Sequence, residues 1–331
     1  MQVTHFHRKP HPGNFSIETL FRDLRLEMTK GLSVAVAECP RLSQGLLPRV
    51  KNVLWARRHQ SQVNHVTGDV TYLAVGMKGC KTVITIHDCC NLERLTGWKR
   101  AILKFFWFDW PIHRARVVTV ISEATKNRLL ELTNCPPEKL RVIYNPISPL
   151  LQPKPNPFNQ DCPTVLHIGT KPNKNLERHA EALAGMRCKL RVIGRMTPAQ
   201  VALLEELKID FENVYDLPFE DIVKEYENCD LLLFASTYEG FGMPIAEANA
   251  VGRPVITSKT WSMPEVANGA AILVDPENVS EIRQAMERCI QDDSLRQNLV
   301  EKGFENAKRF NAANIARQYE AIYRTLSEPN G

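Results

Sequence analysis

Three things are missing from this sequence of 331 residues: an apolar run near the roughly twenty residues of a membrane-spanning helix, any C-x-x-C pair, and a short internal repeat. The first lack argues against a transmembrane helix and the third against a solenoid. The nine cysteines are scattered and odd in number, so neither a disulfide framework nor a zinc site is expected; they read as reduced thiols. The opening Met1-Gln2-Val3-Thr4-His5 lacks the charged and then apolar pattern of a signal peptide, and a cytosolic protein is expected.

What is present is an ordinary globular composition, 44% hydrophobic and 24% charged, in a chain long enough for two domains that each bury a core. The charge is divided unevenly. Residues 1–150 carry 22 Lys+Arg against 11 Asp+Glu, a balance of +11, while residues 151–331 carry 20 against 26, a balance of −6, which together give the net +5. A basic first half suits an anionic partner, whether a phospholipid surface, a lipid-phosphate acceptor or nucleic acid; a solvated basic surface fits the same count.

The chain alternates strand and helix on both sides of a proline-rich stretch. Strands are expected at 2–6, 32–37 (a buried one), 63–66, 82–86, 116–121 and 140–144, and again at 165–168, 190–193, 213–217, 231–234, 255–257 and 270–274. Ser16 is placed to cap a helix over Ile17–Met28, and Ser122 to cap another. Pro146, Pro149, Pro153, Pro155, Pro157 and Pro163 fall between Asn145 and Thr164 and read as an interdomain linker, dividing the chain into domains at 1–150 and 164–310 joined by 151–163, with a terminal helix within 311–331.

Two segments of the first half interleave basic and apolar residues. Arg41–Gln62 sets Arg41, Arg49, Lys51, Arg57 and Arg58 among leucines and valines, and Trp98–Trp110 sets Lys99, Arg100 and Lys104 among five aromatics. Either suits an anionic membrane interface, and either equally suits a helix packed on its apolar face; single-stranded nucleic acid could also stack on the second.

The most informative stretch is Ser236–Glu247. The uniformly apolar Leu231–Phe234 reads as a strand buried on both faces, Gly240 and Gly242 permit a sharp turn, and Pro244 suits a first helical turn. Strand, glycine turn and helix N-terminus together favour a phosphate. Glu239 and Glu247 bracket that anion site, and carboxylates accept hydrogen bonds from hydroxyls, so a ligand with phosphates between two polyols fits both kinds of group: a nucleotide sugar. A dinucleotide-binding fingerprint is the competing reading, but Ile245 stands where its third glycine belongs, and Glu265 does not end an apolar strand. Two other strand ends carry polar groups. His87-Asp88 follows the strand at 82–86, where Asp88 can orient the ring or cap the next turn and a structural histidine is a full alternative; Lys171 and Lys174 follow the strand at 165–168, where they suit a diphosphate or simple solvation.

With Glu239 and Glu247 set around Gly-Phe-Gly-Met-Pro-Ile-Ala, and Pro254–Ser258 and Met263–Val266 following, the region from about Thr164 to Phe310 resembles the retaining glycosyltransferases of family 4. The resemblance implies an α/β GT-B fold of two Rossmann-like domains facing across a cleft, with the C-terminal helix crossing back to the first domain. It implies hexose transfer with retention from a nucleoside-diphosphate sugar, guanosine-linked mannose being preferred and uridine-linked glucose or galactose open. By resemblance Glu239 contacts the sugar, Glu247 the ribose, Lys174 with Asn175 the phosphates, and His87 the donor sugar. The donor site would also include Gly13, Gly169, Thr170 (where many members have arginine), Lys171, Arg195, Tyr215 and the Gly240, Phe241, Gly242 and Met243 turn. No D-x-D occurs, so neither a metal nor another cofactor is expected. The expected partners are the nucleotide sugar and a glycan or lipid-phosphate acceptor, with peripheral contact to an anionic membrane and no nucleic acid. A non-catalytic sugar-nucleotide or glycan binder is the alternative. A glycoside hydrolase, whose two carboxyls stand about 5–9.5 Å apart, has no use for a phosphate turn.

Overall fold

The computed structural model describes residues 1–10, 16–29 and 31–328 and divides the chain into two compact units, Met1–Pro146 with Ala312–Gly331, and Ile147–Asn311. Gly13 and the side chain of Ser16 lie outside the described residues. Each unit is one parallel sheet of six strands covered by helices, a two-domain α/β fold of the GT-B type.

In the first unit the strands are β1 (Gln2–His7), β2 (Ser33–Glu38), β3 (Val63–Val66), β4 (Thr82–Ile86), β5 (Val117–Val120) and β6 (Leu140–Val142), in the order β2-β1-β3-β4-β5-β6. β3, with Val63, Asn64, His65 and Val66, and the Thr-, Val- and Ile-built β4 are buried at every position because helices cover both faces. Alternation divides the side chains: Phe6, Val66, Ile84 and Val118 pack with Leu73 and Phe108 on one face, and Val3, Val63 and Val83 with Phe21 and Leu24 on the other. One expectation fails here. The strand expected at 32–37 and expected to be buried runs over Ser33–Glu38 at the sheet edge, paired only with β1, and leaves Val36 exposed.

The C-terminal helix Ala312–Ser327 belongs to this first sheet. Ile315 and Ala316, then Tyr319, Tyr323 and Leu326 at further steps of three or four, form a stripe buried against Phe21, Val63 and Val83, each large apolar side chain contributing about 2 kcal/mol of transfer free energy. Its polar anchor is the Tyr323 hydroxyl, 3.0 Å from His5 Nε2 and 2.6 Å from His65 Nδ1. His65 Nε2 lies 2.7 Å from Thr85 Oγ1, which is 2.6 Å from Thr119 Oγ1, so from His5 to Thr119 a polar chain runs beneath the helix across four strands.

The second unit holds β7 (Thr164–Ile168), β8 (Lys189–Ile193), β9 (Asp210–Val214), β10 (Leu231–Phe234), β11 (Val255–Ser258) and β12 (Ile272–Val274), in the order β12-β11-β10-β7-β8-β9. The strand expected over 213–217 starts and ends earlier. Lys208, with φ 53°, turns the chain out of the preceding helix, and Asp216, with φ 56°, breaks it after Val214. Strand order reverses between β7 and β10, and ligands of open α/β sheets gather at the carboxyl ends of strands beside such a reversal.

The proline-rich stretch, expected as an interdomain linker, runs along this second unit. Lys154 N donates to Val251 O, Asn156 Nδ2 to Cys229 O and Asn159 N to Asp230 Oδ1, while the Arg296 guanidinium stacks on Phe158. Prolines suit it because few of its amides are needed for a ladder. Among the described residues no helix is long and apolar enough to cross a membrane.

Candidate functional site

The site in the second unit is built where β7 and β10 end. After Phe234 the chain turns through Ser236–Gly242 into the helix Met243–Val251. Gly242 precedes that helix with φ 98°, a left-handed conformation that suits glycine, and Pro244 lies in the first turn. No side chain caps this N-terminus. The turn is braced by Ser262, whose hydroxyl lies 2.9 Å from Glu239 O and 2.8 Å from Phe241 O.

The β7 end supplies the cation. Gly169 has φ 92°, and a Cβ there would stand 2.8 Å from Lys174 Cγ, so the bare glycine leaves room for the lysine stem to cross it. Lys174 Nζ then reaches Glu239 Oε1 at 2.6 Å and lies 4.8 Å from the centre of the Phe234 ring. These side chains are 20% and 13% exposed, so the pair is largely removed from solvent. Two asparagines tie the loops together. Asn173 Nδ2 donates to Tyr238 O and Thr237 N to Asn173 O, while Asn175, buried with φ 66°, donates to Ala235 O and Pro276 O and accepts from Arg178. The Asn175 amide is thus spent on bracing the loop. Below it, His167 Nε2 donates to Gly169 O at 2.7 Å and Nδ1 meets His179 Nδ1 at 3.0 Å. Burial lowers His167 to about 4, so the ring is neutral.

Glu247 is half-buried one turn into the helix. The Tyr226 hydroxyl donates to its Oε2 at 2.6 Å. Burial raises the Glu247 carboxyl above its ordinary value, opposed by the Tyr226 hydrogen bond and the Lys174 charge. One lysine therefore acts on both carboxylates. Thr170 and exposed Lys171 lie on the same loop, and Thr170 Oγ1 donates to Arg195 O. Arg195 and Tyr215 meet at the neighbouring strand ends, the guanidinium 4.3 Å over the ring and 2.5 Å from Asp216 Oδ2, all three exposed. The structure thus gathers Gly169, Lys174, Asn175, Glu239, Gly240 and Glu247 around two loops of one sheet. Asn173, Ser262, Tyr226 and His167 went unrecognised in the sequence, where nothing marks a residue that acts only on a distant loop.

His87 lies in the first unit and is described there. Its Nε2 donates to Thr67 O at 2.8 Å, leaving the lone pair on Nδ1, and burial lowers its pKa, opposed first by that carbonyl. Asp88 caps the following turn, Oδ1 accepting from Cys90 N. His87 lines a cavity of about 380 Å³ with Arg8, Arg49, Asp69, Asn91 and Trp107.

Residues 151–306 match the family model described as "Glycosyl transferases group 1", and residues 21–149 that of "Glycosyltransferase Family 4". The chain is 36% identical over 110 residues to O-antigen chain mannosyltransferase B of Escherichia coli, covering 33% of this chain and 29% of that one. It is 32% identical over 265 residues to the serotype-specific mannosyltransferase WbdA of Escherichia coli, covering 71% and 32%. The chain thus spans about a third of the length of these relatives. The sucrose-phosphate synthase of Thermosynechococcus elongatus superposes with a TM-score of 0.80 at 18% identity, covering 98% and 99%, a likeness of fold. The two family models take one unit each, and the glycine turn with its two carboxylates falls inside the first of them; the chain belongs to the group 1, family 4 glycosyltransferases of the GT-B fold.

Proposed function

We propose that this chain transfers a hexose from a nucleoside-diphosphate sugar to a glycan or lipid-linked acceptor, with retention of configuration and without a metal. The observation that carries the reading is the enclosed Lys174–Glu239 pair beside a helix N-terminus with no side-chain cap. A departing nucleoside diphosphate develops negative charge, and fixed cations and amides aimed at that charge are the main aid the protein can give. In this reading Lys174, with Lys171, takes the diphosphate, Glu239 holds sugar hydroxyls, and Glu247 takes the ribose. Retention rests on the family resemblance. The mannosyltransferase relatives favour mannose, and a guanosine donor accords with it.

The test is a thermal-shift panel of nucleoside diphosphates followed by mass spectrometry of donor and acceptor with and without EDTA. Stabilisation by one diphosphate, about 2.7 kcal/mol at a hundredfold excess over Kd, and a sugar adduct that survives EDTA are expected. No affinity for any nucleoside diphosphate would overturn the donor assignment, and EDTA-sensitive transfer would overturn the metal-free one.

A further inference from the structure

The first unit carries an exposed apolar surface that the donor site does not use. On the helix Leu46–Arg58 the outward face holds Leu46, Leu47, Val50 and Leu54, with Leu46 75% exposed, while Asn52 and Ala56 are buried on the opposite face. The same outward face carries exposed Lys51, Arg57 and Arg58, and the helix contains no acid. The second part is the continuous helical segment of Gly97–Leu103, a π-turn at Lys104–Asp109, and Trp110–Arg114. Trp98, Ile102, Phe105, Phe106 and Trp110 recur at roughly four-residue steps and are exposed, Trp98 at 70% and Phe105 at 50%. Phe105, Phe106 and Trp110 contact one another with ring centres 5.1–5.9 Å apart. Phe108, Pro111 and Ile112 are buried, and Leu103 and Trp107 pack against the same core. Beneath these exposed faces the two parts are joined where the Arg49 guanidinium stacks at 4.5 Å on Trp107, a ring that itself packs on the core. Nine of the sixteen exposed large apolar side chains among the described residues lie on these two parts.

Exposed large apolar side chains gathered in this way and rimmed by charge mark an interaction surface. Its charge selects the partner. Lys51, Arg57, Arg58, Lys99 and Arg100 stand among the apolar side chains, and the one acid of the aromatic segment, Asp109, lies 3.9 Å from Lys104. A second copy would set this basic face against itself. We infer that the surface is a docking face for an anionic phospholipid bilayer, with the rings at headgroup depth and the lysines and arginines over lipid phosphates.

The test uses the full chain and vesicles of phosphatidylcholine alone or mixed with phosphatidylglycerol. Co-sedimentation with the mixed vesicles only, its loss at about 1 M salt, where the Debye length falls to about 3 Å, and a blue shift of tryptophan fluorescence are expected. Replacing Lys51, Arg57 and Arg58 by Gln should weaken partitioning about a hundredfold, at roughly fivefold per charge. A Trp98→Ser/Phe105→Ser variant should lose the shift, and a Leu46→Ser/Leu47→Ser variant checks the first helix independently. Circular dichroism confirms folding of each. Equal binding to neutral vesicles, no binding to mixed ones, wild-type binding by the folded variants, or light scattering showing a dimer that these substitutions dissociate would overturn the inference.

Discussion

Replacing Lys174 by Ala separates the two tasks assigned to this lysine. Its ammonium neutralises Glu239 at 2.6 Å, where the two side chains are 20% and 13% exposed. A fully buried pair broken on one side costs about 3–5 kcal/mol and a surface pair about 0–1 kcal/mol. This geometry lies between them, so Lys174→Ala should destabilise by about 2 kcal/mol, and the double variant Lys174→Met/Glu239→Gln by less than the sum of its single changes, because no charge is left stranded. For a diphosphate the same lysine is a charge-assisted donor worth about 1.5–3 kcal/mol, so Lys174→Ala should weaken nucleoside-diphosphate binding about thirtyfold. Glu239→Gln should act oppositely on that ligand. It removes the carboxylate that competes for Lys174, so the diphosphate alone should bind several times more tightly while sugar transfer falls steeply. Urea denaturation measures the first pair of values and isothermal titration calorimetry the second. Diphosphate affinity in Lys174→Ala within twofold of wild type, together with a coupling energy near zero, would refute both roles.

Acid should destabilise the protein through its buried histidines. His7 and His167 are lowered to about 4 and His65 to about 3, chiefly by burial, so the unfolded chain takes up protons that the fold refuses. The sign is therefore a stability present in full above the unfolded value near 6.5 and lost as pH falls toward 4, up to about 3 kcal/mol for each of His7 and His167. Urea midpoints between pH 7.5 and 4.5 check it, and a flat profile would contradict it. Gly169→Ala, which needs a left-handed backbone and places a Cβ 2.8 Å from Lys174 Cγ, should cost about 1–2 kcal/mol and weaken diphosphate binding as well; unchanged affinity would count against the loop geometry. Tyr323→Phe leaves His5 Nε2 and His65 Nδ1 without their hydroxyl and should cost about 1–3 kcal/mol, read as a lowered melting temperature, whereas a stability equal to wild type would show the polar chain to be idle.

The sequence by itself determined what is local. Leu231–Phe234 announces a strand buried on both faces because its four side chains are all apolar, and Gly242 and Pro244 announce the helix start because of what their backbones permit. The group 1 turn, with Glu239 and Glu247 at fixed spacing, was legible for the same reason. Tertiary structure decided what depends on partners far apart in the chain. That Ser33–Glu38 is an edge strand follows from which strand pairs with β1, a fact its own Val-Ala-Val cannot carry. That the prolines after residue 146 lie along the second unit depends on carbonyls at Val251 and Cys229. Tyr226 becomes a partner of Glu247, Asn173 of Tyr238, and Tyr323 of His65 only when folding brings together residues separated by 21, 65 and 258 positions. A hydrogen bond is settled by distance and angle in space, and sequence spacing fixes those only within a turn or two of the same element.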